Sequence, residues 1–295
     1  MRAAAVHSER IAPVRRSLMF LVAFCWIVIG AVPVPAQKAD STRGPAPIQD
    51  NSFLVEEAYN QEAGVVQHIN TFMRATRANT WAYTFTQEWP LGGLRHQLSY
   101  TVPYARVDEA PGARAGVGDV ALNYRYQLLG DGDATIAVAP RLSALIPTGS
   151  SRRGLGAGGP GVQLNLPLSV VLGGSLVAHS NAGATYTPRA HNELGDEARA
   201  VGMNLGQSII WLASANINLM LEGAWSRGDA VVGPEQTERS TAVFLSPGVR
   251  GAINFASGLQ IVPGIAFPIG VGPSRGERNV FLYLSFEHRF TSAAR

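Results

Sequence analysis

The residues with which this chain of 295 could do chemistry are six histidines, 21 carboxylates, a single cysteine and scattered serines. Their spacing argues against most of what they could do. Nucleophilic catalysis needs a serine and a base presented together, and on a strand a His-x-Ser spacing would put both side chains on one face. Instead His68 is followed two residues on by Asn70, His96 by Leu98, His179 by Asn181 and His288 by Phe290. No Gly-x-Ser-x-Gly nucleophile elbow is read in the chain. Zinc asks for clustered cysteine and histidine, and calcium for an Asp-rich loop of fixed spacing. Neither is present, and Asp131-Gly132-Asp133 reads as a tight turn. Gly154-Leu155-Gly156-Ala157-Gly158-Gly159 matches the dinucleotide pattern GxGxxG, and Gly116 to Ala121 matches its GxGxxA variant. That chemistry requires a strand before the glycines and a helix N-terminus after them. Both runs lead into segments that alternate as strands, so they read as a flexible loop and a strand start. Arg152-Arg153, in the long Gly-rich loop, can meet lipopolysaccharide phosphates or an anionic solute, or simply stand in solvent. No residue is assigned to catalysis, and no cofactor or metal is implied.

The charge balance removes another class. Residues 1–36 hold four of the 24 basic residues (Arg2, Arg10, Arg15, Arg16) and one of the 21 acidic ones, Glu9, so 20 of each sign remain. The basic excess behind the net charge of +3 lies wholly in the leader, and a nucleic-acid partner loses its electrostatic basis. The leader itself reads as a cleaved secretory signal. Arg15 and Arg16 close a positive region, an apolar run spans Leu18 to Val32, and Val34-Pro35-Ala36 offers small-residue cleavage before Gln37. That run is about 15 residues, short of the roughly 20 needed to span a bilayer as a helix. Cys25 lies inside it behind the bulky Phe24, which argues against lipid attachment and leaves the mature chain without cysteine. An exported protein without disulfides must take its stability from elsewhere.

The elements that position the remaining polar residues are strands. Residues 37–62 form an N-terminal segment, Pro- and Gly-rich up to Gln49 and then, over Asn51 to Gln61, patterned as a short amphipathic helix or a plug. From Gly64 to Phe290 about twelve segments of roughly 11 to 17 residues alternate apolar with polar or small side chains. In Val280 to Phe290, Leu282 and Leu284 alternate with Ser285, Glu287 and Arg289; Val162, Leu164, Leu166 and Leu168 alternate with Gln163, Asn165, Pro167 and Ser169. Such strands exceed the soluble average of five or six residues and suit a tilted bilayer span. The joints alternate too. Pro90 to Gly93, Gly130 to Gly132, Gly173-Gly174, Ser214-Ala215 and Ala256 to Gly258 are tight. Asp108 to Arg114, Thr148 to Gly158, Pro188 to Glu197, Gly228 to Glu238 and Gly272 to Glu277 are long and polar, and only the joint near Ala75 to Ala78 breaks the pattern.

This layout predicts an all-β fold: a single antiparallel transmembrane β-barrel of about twelve strands over 63–290, with both termini periplasmic and a short tail at 291–295. Trp89, Tyr126, Trp211 and Phe290 fall near the periplasmic rim, and Tyr104, Tyr186 and Trp225 near the other, as two interfacial girdles. Pro140, Pro167, Pro247, Pro263 and Pro268 sit inside the strands, where bulges or breaks are expected. Glu88, Arg95, Asp119, Arg125, Arg141, Glu222, Arg250, Glu287 and Arg289 are the candidate lumen-lining residues, a mixed set able to pair internally.

Several stretches together resemble the outer-membrane proteins of the MetA pathway of phenol degradation family: Asp50 to Glu62, Gly64-Val65-Val66-Gln67-His68, Gly116 to Asp119 leading into Asn123-Tyr124-Arg125-Tyr126, and Pro140-Arg141-Leu142 leading to Ile146-Pro147-Thr148-Gly149. The resemblance implies a β-barrel with a transport role and brings no catalytic residues. One departure is that Phe290 is followed by Thr-Ser-Ala-Ala-Arg, whereas outer-membrane barrels usually stop at an aromatic residue. The expected function is a passive Gram-negative outer-membrane channel for small, aromatic or apolar solutes. Its expected partners are outer-membrane lipid and lipopolysaccharide, the barrel-assembly machinery and an unspecified small solute. A sealed structural or surface-interaction barrel is the alternative reading, and a membrane-bound lipid hydrolase a third.

Overall fold

A computed structural model describes residues 48, 50–109, 112–131 and 134–289. The leader with Cys25, most of 37–49, Phe290 and the 291–295 tail therefore lie outside the described residues.

Alternation with period two gives each segment two unlike faces, and twelve strands close these faces into a ring. They are β1 (Val65–Ala75), β2 (Trp81–Pro90), β3 (His96–Glu109), β4 (Gly112–Val117 with Val120–Tyr126), β5 (Ile136–Val138 with Arg141–Ile146), β6 (Gly161–Val171), β7 (Leu176–His191), β8 (Glu197–Ser214), β9 (Ile217–Gly233), β10 (Gln236–Gly251 with Ile253–Asn254), β11 (Gln260–Ala266 with Ile269–Gly270) and β12 (Asn279–Arg289). Each pairs antiparallel with its sequence neighbours. The ring shuts where β1 meets β12, in unbroken register from Val65 opposite Arg289 to Ala75 opposite Asn279. Closure leaves no unpaired edge, the condition for a sheet in hydrocarbon. No described helix is long and apolar enough to cross a membrane.

The burial pattern is inverted relative to a soluble protein. Outward Leu142, Leu164 and Leu221 are 56%, 56% and 54% exposed, whereas inward Gln67, Gln97 and Asn218 are buried. An apolar belt of this extent is stable only against lipid. The expected girdle residues Trp211, Tyr104 and Tyr186 stand exposed on this outer wall.

Two expectations about the strands need correction. Three of the joints read as long loops are largely strand, since β3 runs to Glu109, β7 to His191 and β9 to Gly233 before the chain turns. Strands of 16 to 18 residues exceed the nine to eleven that a bilayer needs, so these hairpins continue past it. Polar composition suggested loop because in water both faces of a hairpin are polar. Conversely, the joint read as tight at Gly130 spans 127–135.

The prolines show a rule that composition could not. Pro140 and Pro268 do interrupt their strands, but Pro167, Pro247 and Pro263 lie within continuous ones. The two breaks face the other prolines: the Ala139 amide reaches the Pro167 carbonyl (3.2 Å), and the Phe267 amide the Pro247 carbonyl (3.0 Å). A proline donates nothing to the ladder, and a two-residue kink in the facing strand re-pairs what is left. The same arrangement recurs at Pro103, whose carbonyl accepts the Gly118 amide between the two parts of β4.

Candidate functional site

Inside the ring lies the segment read as a helix or plug. Asn51 to Gln61 forms no helix; it is an extended, bent strap around the inner wall. A helix would satisfy its own amides, whereas an extended chain leaves them free, and here the wall's side chains take them. The Leu54 amide donates to Glu222 Oε1 on β9 (2.9 Å), Glu56 to Asn181 Oδ1 on β7 (2.8 Å), Ala58 to Ser169 Oγ on β6 (2.7 Å), Asn60 to Gln127 Oε1 (2.8 Å) and Gln61 to Gln97 Oε1 on β3 (2.7 Å). Successive partners come from strands in order around the barrel.

The strap's carbonyls are held by arginines. Arg250 donates to the Asp50 carbonyl (2.7 Å) and the Ile48 carbonyl (3.3 Å), and Arg125 to the Tyr59 carbonyl (2.6 Å) and to Asn60 Oδ1 (2.9 Å). Arg141 grips the Glu56 carboxylate with two nitrogens, at 2.6 and 3.0 Å. The Asp50 carboxylate, fully buried, accepts from Gln67 Nε2 (2.8 Å), Tyr283 OH (2.8 Å) and Ser285 Oγ (2.6 Å).

The nine residues proposed from sequence thus divide. Arg125, Arg141, Glu222 and Arg250 bind the strap. They serve its backbone and Glu56; of the internal pairing expected within the set, Arg125 with Glu88 is the ion pair found among the described residues. Glu88 is buried, accepts from Gln97 Nε2 (2.7 Å) and lies 3.7 Å from Arg125. Glu287 is half-buried on the same inward parity as Tyr283 and Ser285. Asp119 instead anchors the loop after β5, accepting the Gly149 amide (2.9 Å) and the Ala157 amide (2.7 Å). Arg95 and Arg289 stand exposed at the rim that carries the tight turns.

Charge in the strap is set by surroundings. Burial pushes the Glu56 carboxyl up, but the Arg141 charge and hydrogen bond outweigh it and hold it below the usual range. Glu57 has no such clamp; burial first, then the Asp50 charge, raises it to about 8.

One part of the lumen is apolar. The Phe53 ring sits between Phe281 (centroids 5.6 Å apart) and Tyr283 (5.4 Å), in a cluster with Ile69, Val262 and Ala266. Gly248 and Gly264 make room for it, since a Cβ at either would come within 2.6 or 2.5 Å of ring atoms. Neither the slot nor the strap's wall partners Gln97, Ser169 and Asn181 were read as functional from sequence. Their inward parity was the available signal, but uncharged residues on that face carried no distinguishing mark.

Two arrangements bear on the hydrolase reading. The structure pairs Ser169 Oγ with His179 Nδ1 at 2.7 Å, residues placed symmetrically about the Gly173-Gly174 turn and directly opposite in register. Both are buried beneath the strap, and Ser169 Oγ also accepts the Ala58 amide, so the pair holds the strap. Gly272-Pro273-Ser274-Arg275-Gly276 has Gly-x-Ser-x-Gly spacing, which corrects the expectation that the chain holds no such run. It forms a 3₁₀ turn with no helix after it, and buried Ser274 Oγ accepts the Val243 amide (3.1 Å), which is not a nucleophile elbow. Neither dinucleotide-like run opens a helix: Gly154 is the left-handed cap of a 3₁₀ turn, and Gly116 lies in a strand. Among the described residues no group of three or more His, Cys, Asp or Glu could hold a metal.

No family model matches the chain, and no curated protein does. Solved structures do. The COG4313 outer membrane channel from Pseudomonas putida F1 is similar with a TM-score of 0.61 at 13% identity, covering 79% of this chain and 98% of that one. The NanC porin reaches 0.49 at 9% identity, covering 75% and 98%. At 13% identity the likeness to the COG4313 channel is one of architecture, and it agrees with the ring already described: the chain is a closed twelve-stranded antiparallel β-barrel.

Proposed function

We propose that the protein is a passive outer-membrane channel for small apolar and aromatic solutes, closed at rest by its own N-terminal strap. The observation that carries this reading is the Phe53 slot. A benzyl side chain already rests in the lumen against Phe281 and Tyr283, in a gap opened by Gly248 and Gly264. A free aromatic molecule of that size would find the same surroundings once Phe53 withdrew. The strap is held non-covalently and incompletely, since Glu57 Oε2, Glu222 Oε2 and Arg250 Nε have no hydrogen-bond partner among the described residues. Each such group costs about 1–3 kcal/mol against a fully satisfied network, which favours a displaceable strap over a permanent core. The stretches that resemble the MetA pathway of phenol degradation family point the same way and include the strap itself. On this reading the tight-turn rim and both termini face the periplasm.

A sealed barrel is the second reading, favoured by how fully the strap fills the lumen: the cavity beside it, between Glu57, His179 and Ile210, holds about 20 Å³. Phenol flux into liposomes and planar-bilayer conductance separate the two. Deleting residues 50–62 is expected to raise conductance severalfold, and Phe53→Ala to raise phenol flux while leaving that of a charged solute of similar size low. No flux through the wild type, the deletion or Phe53→Ala would leave the sealed barrel standing.

A further inference from the structure

On the outer wall, at the rim carrying the long hairpins, Phe72, Trp81 and Tyr104 form an aromatic band across β1, β2 and β3. Phe72 and Trp81 have centroids 5.6 Å apart, and Trp81 and Tyr104 5.8 Å, with planes 20° apart. Register adds cations to it. Arg74 lies directly opposite Trp81, and Trp81 directly opposite Arg106, all on the lipid-facing parity. On β12, Val280 opposes Arg74, and exposed Arg278 continues the row two residues outward. Opposed residues on neighbouring strands stand about 5 Å apart, so Arg74 and Arg106 bracket the indole at roughly 10 Å.

These arginines have no partners of the kind that hold Arg125, Arg141 and Arg250 against the strap. Arg74 and Arg106 make no ion pair with a described residue, and the Arg106 Nε is shielded from solvent with no acceptor among them. The acids near by are Asp108, exposed two residues outward of Arg106, and Glu277, beside Arg278. The wall is also low here. β1 and β2 join through 76–80, whereas β7 to β10 project far beyond, so a bulky headgroup has an open approach. A guanidinium fork with no acceptor, placed just above an interfacial aromatic band, is matched to a phosphate monoester at headgroup depth.

We infer that Arg74, Trp81, Arg106 and Arg278 form a binding site for a phosphorylated glycolipid of the outer leaflet, the lipid A part of lipopolysaccharide. The two arginines flanking Trp81 suit two phosphates on one disaccharide, the indole face covers the sugar, and the acyl chains descend over Phe72 and Tyr104. A phospholipid has one phosphate and no sugar, and meets only part of this row. The inference rests on the membrane orientation proposed above and not on conduction, so a barrel that conducts nothing can still satisfy it.

The test uses the mature barrel refolded in detergent. It is titrated with bis-phosphorylated lipid A, with fully dephosphorylated lipid A and with phosphatidylglycerol, and bound lipid is read by native mass spectrometry. Lipid A is expected to bind tightest, and Arg74→Gln/Arg106→Gln to weaken it by at least about tenfold while Arg239→Gln, on the distant β9–β10 hairpin where the guanidinium meets Asp229, retains wild-type binding. Equal binding of dephosphorylated lipid A or of phosphatidylglycerol overturns the site. So does unchanged lipid A binding in the double variant. Should that variant lose its heat-modifiable migration, the single Arg74→Gln and Arg106→Gln variants supply the same comparison.

Discussion

Glu56 and Glu57 are adjacent and both carboxylic, yet the strap treats them oppositely. Glu56 faces Arg141, which keeps it charged. Glu57 is buried toward Asp50 and Glu287, with Arg125 and Arg250 only partly compensating, and is raised to about 8. A docked carboxyl held at about 8 and released to an ordinary 4.5 favours docking fully below pH 4.5. That advantage is lost as pH rises from there to about 8, because the free strap ionises while the docked one must keep its proton. Glu56 acts in the opposite sense, but only below its ordinary value. Channel opening is therefore expected to rise with pH between about 5 and 8, by at most about tenfold per pH unit. Glu57→Gln should flatten this rise in a conductance titration; an unchanged profile would show that Glu57 does not control docking.

At the scale of elements, the strap and the wall were built for each other with unlike means. Its polar half is held by amides and carbonyls that no secondary structure uses, and its apolar half by one ring in a slot of glycines. The Phe53 ring lies directly against the two glycines of the wall, so size added at Gly264 acts on the strap without touching the ladder, where residue 264 pairs through its backbone. Gly264→Val is expected to cost docking about 1–3 kcal/mol, as overpacking does. The strap should then become cleavable by protease while heat-modifiable migration of the barrel persists. Protection equal to the wild type would mean that the slot does not hold the strap. The kinks opposite Pro167 and Pro247 belong to this scale as well: they are properties of strand pairs, and neither member alone shows them.

For the whole molecule, closure and occupation are separable. The backbone ladder between β1 and β12 uses no strap residue, although the Asp50 carboxylate bridges the two strands through Gln67, Tyr283 and Ser285, so a barrel lacking residues 50–62 is expected to fold and migrate heat-modifiably, melting at a lower temperature with a hydrated lumen. Failure to form a heat-modifiable band would show instead that the strap is part of the core. The closed two-faced ring was legible in the residues, because period-two alternation over long segments records a chain with lipid on one side and polar groups on the other, whatever the partners. So was the inward parity of Arg125, Arg141, Glu222 and Arg250. Their task was not legible. Sequence pattern reports the environment of a side chain, and a lumen filled by water and one filled by strap backbone ask for the same polar residues. Nor could the pattern distinguish a short amphipathic helix from an extended strap over Asn51 to Gln61, since the backbone hydrogen bonds that choose between them go to Gln97, Ser169, Asn181 and Glu222, between 36 and 168 residues away. Alternation, strand length and the two kinds of joint together marked the ring and its inner and outer faces. Register and closure decided which inward residues meet, what fills the lumen and where Phe53 rests, because those contacts join residues that chain order keeps far apart.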